Sequence, residues 1–173
     1  MFYEETNEQG ANNRQKSNSN YSMAKLEVLL RTGRERLRYL AGHAGGMYHP
    51  FPKKERQSPF TKKPKPSRRK PRIIDNPHEE LKCLQKKINQ TLLKNIALPQ
   101  YICGGVEGKT IIDNVFMHLG ASVLVTIDIK NFFRKITNTQ VYRVWRDVLG
   151  WSPRAAGLLT RLTTFERHLP QVT

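Results

Sequence analysis

Acidic residues are scarce in this sequence: 14 Asp and Glu stand against 30 Lys and Arg in 173 residues, a formal net charge of +16. A basic surplus of that size argues against acidic-protein roles and for a polyanionic partner, because each neutralised phosphate releases condensed counterions. An anionic membrane surface would meet the same charge, but no strongly amphipathic basic helix supports it. Cysteine is nearly absent too. Cys83 and Cys103 form no CxxC and have no histidine at metal-ligand spacing, so they read as core thiols rather than a disulfide, redox pair or zinc site. No hydrophobic run approaches the length of a membrane span. The first twenty residues, rich in Asn and Gln, lack the apolar stretch of a secretory signal. These absences lead us to expect a soluble, cytoplasmic protein with no membrane partner. At 20.1 kDa the chain is one domain or part of a larger one.

What is present divides the chain unevenly. Residues 1–21 hold too few apolar groups to offset ordering entropy and read as a disordered tail. Residues 22–52 read as one helix, then a loop. Leu26, Leu29, Leu30, Leu37 and Leu40 recur at roughly helical spacing, Gly42 is the expected stop, and GHAGGMYHPFP follows. Residues 53–72 carry ten Lys or Arg against one Glu. Their prolines exclude a long helix, leaving an extended or hairpin-like basic arm. A short extended piece at Ile73–Ile74 then leads into a helix with Pro77 near its start and Leu81, Leu84, Ile88, Leu92 and Ile96 as its buried stripe. A glycine-bearing loop precedes a helix over 109–119 capped by Gly120, and SVLVTIDI predicts a strand over 122–129. Helices over 139–149 and from Ser152-Pro153 to about 165 complete an α+β or α/β order.

Two stretches carry chemistry. GGVEGKT looks like a phosphate-binding loop, but counting back from Gly108-Lys109-Thr110 puts Cys103 where that motif needs glycine, and no hydrophobic strand precedes it. A helix-start loop fits better. The second stretch is TIDIKNFFRKIT, where an apolar run ends on Asp128. An ionised carboxylate there needs a cation or hydrogen bonds. One reading makes Asp128 the cap of the next helix; another makes it a hard oxygen donor for Mg²⁺. Phe132 and Phe133, being consecutive, cannot share one face of a regular element. One of them should therefore point toward the aspartate.

Asp128 to Thr137 resembles the first catalytic motif of reverse transcriptases, in the version found in bacterial retron and group II intron-type enzymes. Pro71-Arg72-Ile73-Ile74, Pro77, Leu81-Lys82 and Gln85-Lys86-Lys87-Ile88 are similar to the fingers segment of that family. Gly104 to Ile111, with Asn114 and His118, resembles its glycine loop and following helix, which displaces the phosphate-loop reading of the same residues. Leu169-Pro170-Gln171 matches the start of a further motif. Gly105 stands where the family has an aromatic residue, and Val172 replaces a glycine.

The resemblance implies the fingers and partial palm of a right-hand polymerase, C-terminally truncated, with the basic arm at 53–72, fingers at 73–120 and the start of the palm at 121–173. It implies RNA-directed DNA synthesis by two-metal nucleotidyl transfer, in which a 3′-hydroxyl attacks the α-phosphate of a dNTP and pyrophosphate leaves. Asp128 would ligate Mg²⁺, with the Ile129 carbonyl as a further ligand. Phe133 would exclude a 2′-hydroxyl, and Arg72 would hold the triphosphate with help from Lys65. Gln171 would contact the incoming nucleotide or the template. The implied partners are an RNA template, an RNA/DNA hybrid, dNTPs and a second chain supplying the rest of the palm and thumb. The Asp-Asp hairpin of the family is missing from these residues, so the chain alone is expected to be inactive. The competing class is a basic RNA-binding module on the same scaffold without chemistry.

Overall fold

The computed structural model describes residues 21–53 and 71–172. Helix α1 (Met23–Leu30) starts where the Ser22 side chain accepts a hydrogen bond from the Lys25 N–H at 3.3 Å. It stops at Arg31, which turns left-handed (φ 44°) and donates its N–H back to the Glu27 and Val28 carbonyls. Helix α2 (Arg34–His43) follows after Gly33. The single leucine-periodic helix expected over this region is therefore two helices, and Gly42 lies inside the second rather than ending it. Both halves keep the expected leucines inside: Leu26, Leu30, Leu37 and Leu40 are buried. Tyr21, expected in the disordered tail, is also held. Its carbonyl accepts from the Ser152 N–H at 3.0 Å, and its ring sits 5.1 Å from that of Trp151. Residues 1–20 lie outside the described residues.

The loop expected before the basic arm contains a 3₁₀ turn (Ala44–Met47) and then a strand, β1 (Tyr48–Pro52). It pairs antiparallel with β2 (Ile73–Pro77), Tyr48 opposite Pro77 and Pro52 opposite Ile73. Pro50 and Pro52 disguise this strand in the sequence, yet proline is tolerated at a sheet edge, where its missing N–H is no loss. Residues 53–72 join the two strands, and the Lys53 N–H donates to the Arg72 carbonyl at 2.7 Å. Both ends of the basic arm thus lie side by side, while residues 54–70 lie outside the described residues.

Helix α3 (Glu79–Ile88) begins two residues beyond Pro77, which closes β2 instead of opening the helix. Glu79 and Glu80 occupy its first turn and Lys86 and Lys87 its last, each complementing the helix dipole. It buries Leu81, Leu84 and Ile88 and runs on into a π-helical turn, Asn89–Leu93. Near the other end of the chain, α6 (Asn138–Arg143) continues as a second π-helical turn, Val144–Val148. The last helix, numbered α7 (Pro153–Thr163), is capped by Ser152 and starts on Pro153. Leu159 and Leu162 of α7 join Trp145, Trp151 and the leucines of α1–α3 in one core. Gln85 pins these layers together, donating both amide hydrogens: one to the Tyr48 hydroxyl at 2.7 Å, one to the Leu162 carbonyl at 2.8 Å.

Two short helices lie outside this core. One, α4 (Ile111–Phe116), is half the expected length. The other, α5 (Phe132–Lys135), has no counterpart among the elements expected from the sequence. Residues 122–129, expected to be a strand, form none. Val123 is 79% exposed and Ile127 85%. A ladder needs a partner to satisfy its backbone donors and acceptors, and among the described residues none lies beside this run. The result is a mixed helix-and-strand protein. Its sheet is the β1–β2 pair, not one built on SVLVTIDI.

Candidate active site

Three separated stretches meet at one cavity of about 500 Å³. Pro71, Arg72 and Ile73 come from the start of β2. Asp128, Ile129 and Asn131 to Arg134 come from the approach to α5 and from α5 itself. Gln171 comes from the stretch after α7. The convergence is built by backbone hydrogen bonds. Beyond α7 the chain reverses through Glu166 and Arg167, both left-handed (φ 47° and 66°), and Phe165 and His168 exchange N–H···O bonds of 2.9 and 3.0 Å. The returning segment is stitched to the α5–α6 junction: the Asn138 N–H donates to the Arg167 carbonyl and the Leu169 N–H to the Ile136 carbonyl, each at 3.0 Å.

Gln171 then docks on β2 through a reciprocal pair. The Asp75 N–H donates to the Gln171 carbonyl at 2.9 Å, and the Gln171 N–H donates to Asp75 Oδ2 at 2.9 Å. Asp75 is only 1% exposed, and this clasp is what makes a buried carboxylate tolerable. Its charge also acts on Tyr48. Burial, reinforced by Asp75, pushes the Tyr48 hydroxyl above its usual range against the opposing hydrogen bond from Gln85. The Tyr48 ring stacks on Phe165 at 4.4 Å, so the clasp and the turn beyond α7 share one wall.

The structure brings five of the six residues singled out in the sequence to this cavity: Arg72, Asp128, Ile129, Phe133 and Gln171. Lys65 lies outside the described residues. Asp128 is not a helix cap. Asn131, left-handed at φ 56°, holds that position in α5, and no side chain caps the helix. Phe132 and Phe133 meet edge to face, with centroids 5.5 Å apart, and both line the cavity beside Asp128. Arg72 and Arg134 make its walls basic around a single acid.

One carboxylate does not make a two-ion centre. Among the described residues, no group of three or more His, Cys, Asp or Glu is placed to hold a metal. Two other carboxylates outside the core are already engaged. Asp113 accepts from the N–H and hydroxyl of Thr110, at 2.6 and 2.7 Å, in a capping box that holds its carboxyl below the usual range. Asp147 is held low by Arg146, 2.6 Å away.

Asp75 is the site residue that sequence reading misses. The run IIDNP reads only as extended, and nothing in its spacing says that the acid faces inward. The available signal is alternation: Ile73 and Asp75 share one side of a strand.

No protein-family model matches the chain. Among curated proteins it is similar to the retron Se72 reverse transcriptase of Salmonella heidelberg, 32% identical over 103 residues, which is 60% of this chain and 27% of that protein. It is 28% identical over 112 residues to the retron Ec86 reverse transcriptase of Escherichia coli, covering 65% of this chain and 35% of that one. It is 33% identical over 79 residues to the retron Mx162 reverse transcriptase of Myxococcus xanthus, 46% of this chain and 15% of that one. The resemblance read from the motifs is borne out over about half the chain, as a similarity to retron-type reverse transcriptases. The matched stretch spans about a third of the length of these relatives or less.

Proposed function

We propose, on that kinship with retron-type reverse transcriptases, that this chain supplies the fingers and the first part of the palm of an RNA-directed DNA polymerase acting in the cytoplasm. The observation that carries the reading is the cavity, where Arg72, Asp128, Phe133 and Gln171 meet although they come from three distant parts of the sequence. Arg72 binds the triphosphate of a dNTP, its planar fork matching phosphate oxygens in pairs. Phe133 lies under the sugar and leaves no room for a 2′-hydroxyl. Gln171, fixed by Asp75, contacts the nucleotide or its template base. Asp128, with the Ile129 carbonyl, contributes to a Mg²⁺ site whose other carboxylates come from a second chain or from residues beyond those described. Lys65 and the rest of the basic arm, whose end opens on the cavity at Arg72, hold the backbone of the RNA template and of the RNA/DNA hybrid.

A second reading, a basic RNA-binding module without chemistry, is favoured by the lone carboxylate among the described cavity residues. Two experiments separate the two. Purified chain given poly(rA)/oligo(dT), Mg²⁺ and dTTP is expected to make no DNA, and extension that is lost on Asp128→Asn would show one chain to be sufficient. Direct binding of a fluorescent dNTP is expected to weaken on Arg72→Gln, and its preference over the matching rNTP to vanish on Phe133→Ala. A chain that binds RNA but shows no affinity for any nucleotide leaves the second reading standing.

A further inference from the structure

A second cavity, of about 310 Å³, lies where α2 meets α7 and shares no residue with the one around Asp128. Met23, Ala41 and Leu158 give it an apolar floor, and Arg38, Arg154 and Arg161 line it together. The neighbouring arginines of α2 are matched: Arg34 pairs with Glu27 at 2.6 Å, and Arg36 pairs with Glu80. Among the described residues, no carboxylate lies within 4.0 Å of Arg38, Arg154 or Arg161. Three exposed arginines lining one cavity without a counter-charge make its rim positive, and an anion there is attracted.

Gly157 is the independent observation. Residues 154, 157, 158 and 161 follow the spacing of one helix stripe, so the glycine sits between the two arginines of α7. Glycine inside a helix costs stability relative to alanine. Packing does not demand it here, since a Cβ at Gly157 would meet nothing within 4 Å. What the missing side chain does is leave the floor low, so that a ligand can approach the helix backbone between the arginines.

We propose that this cavity binds the phosphodiester backbone of RNA, as a site separate from the Asp128 cavity. Arg154 and Arg161 lie two helical turns apart, about 10 Å along the axis. That span suits two phosphates of one strand better than one isolated anion, and each arginine fork takes phosphate oxygens in pairs. The recessed floor favours a strand that can enter it over the flat face of an anionic bilayer. The choice of RNA among phosphate polymers rests on the polymerase reading; the affinity for phosphate does not.

The test is anisotropy of a labelled single-stranded RNA with the full chain across a KCl series. The variant R38Q/R154Q/R161Q is expected to bind about tenfold or more weakly. It should also flatten the slope of log K against log salt by about 2, the value for three phosphates no longer neutralised. R38K/R154K/R161K, which keeps the charges but not the paired forks, is expected to keep the salt slope and bind more tightly than the Gln variant. Gly157→Glu should weaken binding with no loss in the circular-dichroism melt, which keeps the proposal testable if the triple variant folds poorly. Wild-type affinity and slope in the Gln variant would overturn it. So would a loss confined to phosphatidylserine vesicles with RNA binding intact. Binding of a fluorescent dNTP by the wild-type chain is read in a separate assay, so failure of the polymerase reading registers separately.

Discussion

At the scale of single residues, Asp75 and Asp128 divide the work of the cavity. Asp128 is exposed and pairs with no cation among the described residues, so Asp128→Asn should leave folding stability within about 0.5 kcal/mol of wild type. Asp75 is buried and its carboxylate accepts the Gln171 N–H. Asp75→Ala leaves that donor unpaired and should cost about 1–3 kcal/mol in a urea melt. Asp75→Asn keeps an acceptor in place and should cost less. Equal losses in the two variants would mean that the clasp is not what holds the segment. Asp128 is legible in the sequence because an acid at the end of an apolar run demands a reason. Asp75 is not, because its partner is a main-chain N–H, and any residue at 171 other than proline could supply that.

Secondary-structure elements show where local signals are strong and where they fail. Ser152-Pro153 announces α7, and the acids at 79–80 mark the start of α3, because caps and dipole pairs act within one turn. The break between α1 and α2 is hidden. Leucines continue at the right spacing across it, while the left-handed turn at Arg31 depends on backbone bonds that leave no mark in composition. β1 is concealed by its prolines. The strand expected over 122–129 fails for the opposite reason: β-branched composition describes a surface that fits a sheet, not the presence of a neighbour. In α4 the capping box offers a pH test. The Asp113 carboxyl is held low chiefly by its hydrogen bonds from Thr110. Its contribution is therefore complete above the usual carboxylate range and disappears as pH falls through its lowered value. The NMR amide signals of Thr110 and Asp113 should move together over that acid range, and Asp113→Ala should abolish the step.

Across the whole molecule, charge and exposed apolar surface pull in different directions. A net charge of +16 favours solubility and polyanion binding. Ile111, Ile112, Val123, Leu124, Val125 and Ile127 stand exposed, and apolar surface of that extent marks either a partner interface or a route to aggregation. Replacing the lysines and arginines of residues 54–70 with glutamine should flatten the salt dependence of RNA binding by about 0.7 for every phosphate the arm ceases to neutralise. It should also lower the concentration at which the chain precipitates. A salt slope unchanged by that replacement would remove the arm from the RNA site. The basic run of residues 53–72 is legible from composition alone, whereas the cavity that Arg72 lines is not, since it is made by residues far apart in the chain.

The hydrogen bond from Gln171 to Asp75 joins residues 96 positions apart, and that separation has a kinetic meaning. Closing so long a loop costs entropy that grows only slowly with length, roughly as (3/2)RT ln n, but the cost falls due before the contact returns anything. The helices α1–α3 and α7 are held together by shared apolar burial, although the contacts of α7 with α1 and α2 span more of the chain than this one, whereas the segment after α7 is held on β2 by hydrogen bonds. The cavity closes when the segment after α7 finds β2. In native-state hydrogen exchange, the Gln171 amide is then expected to open sub-globally, at lower free energy than the amides of Leu159 and Leu162 in α7. Refolding followed at that amide should lag behind recovery of the helical signal. Occupancy of the Asp128 cavity would then report that the last contact of the fold has formed.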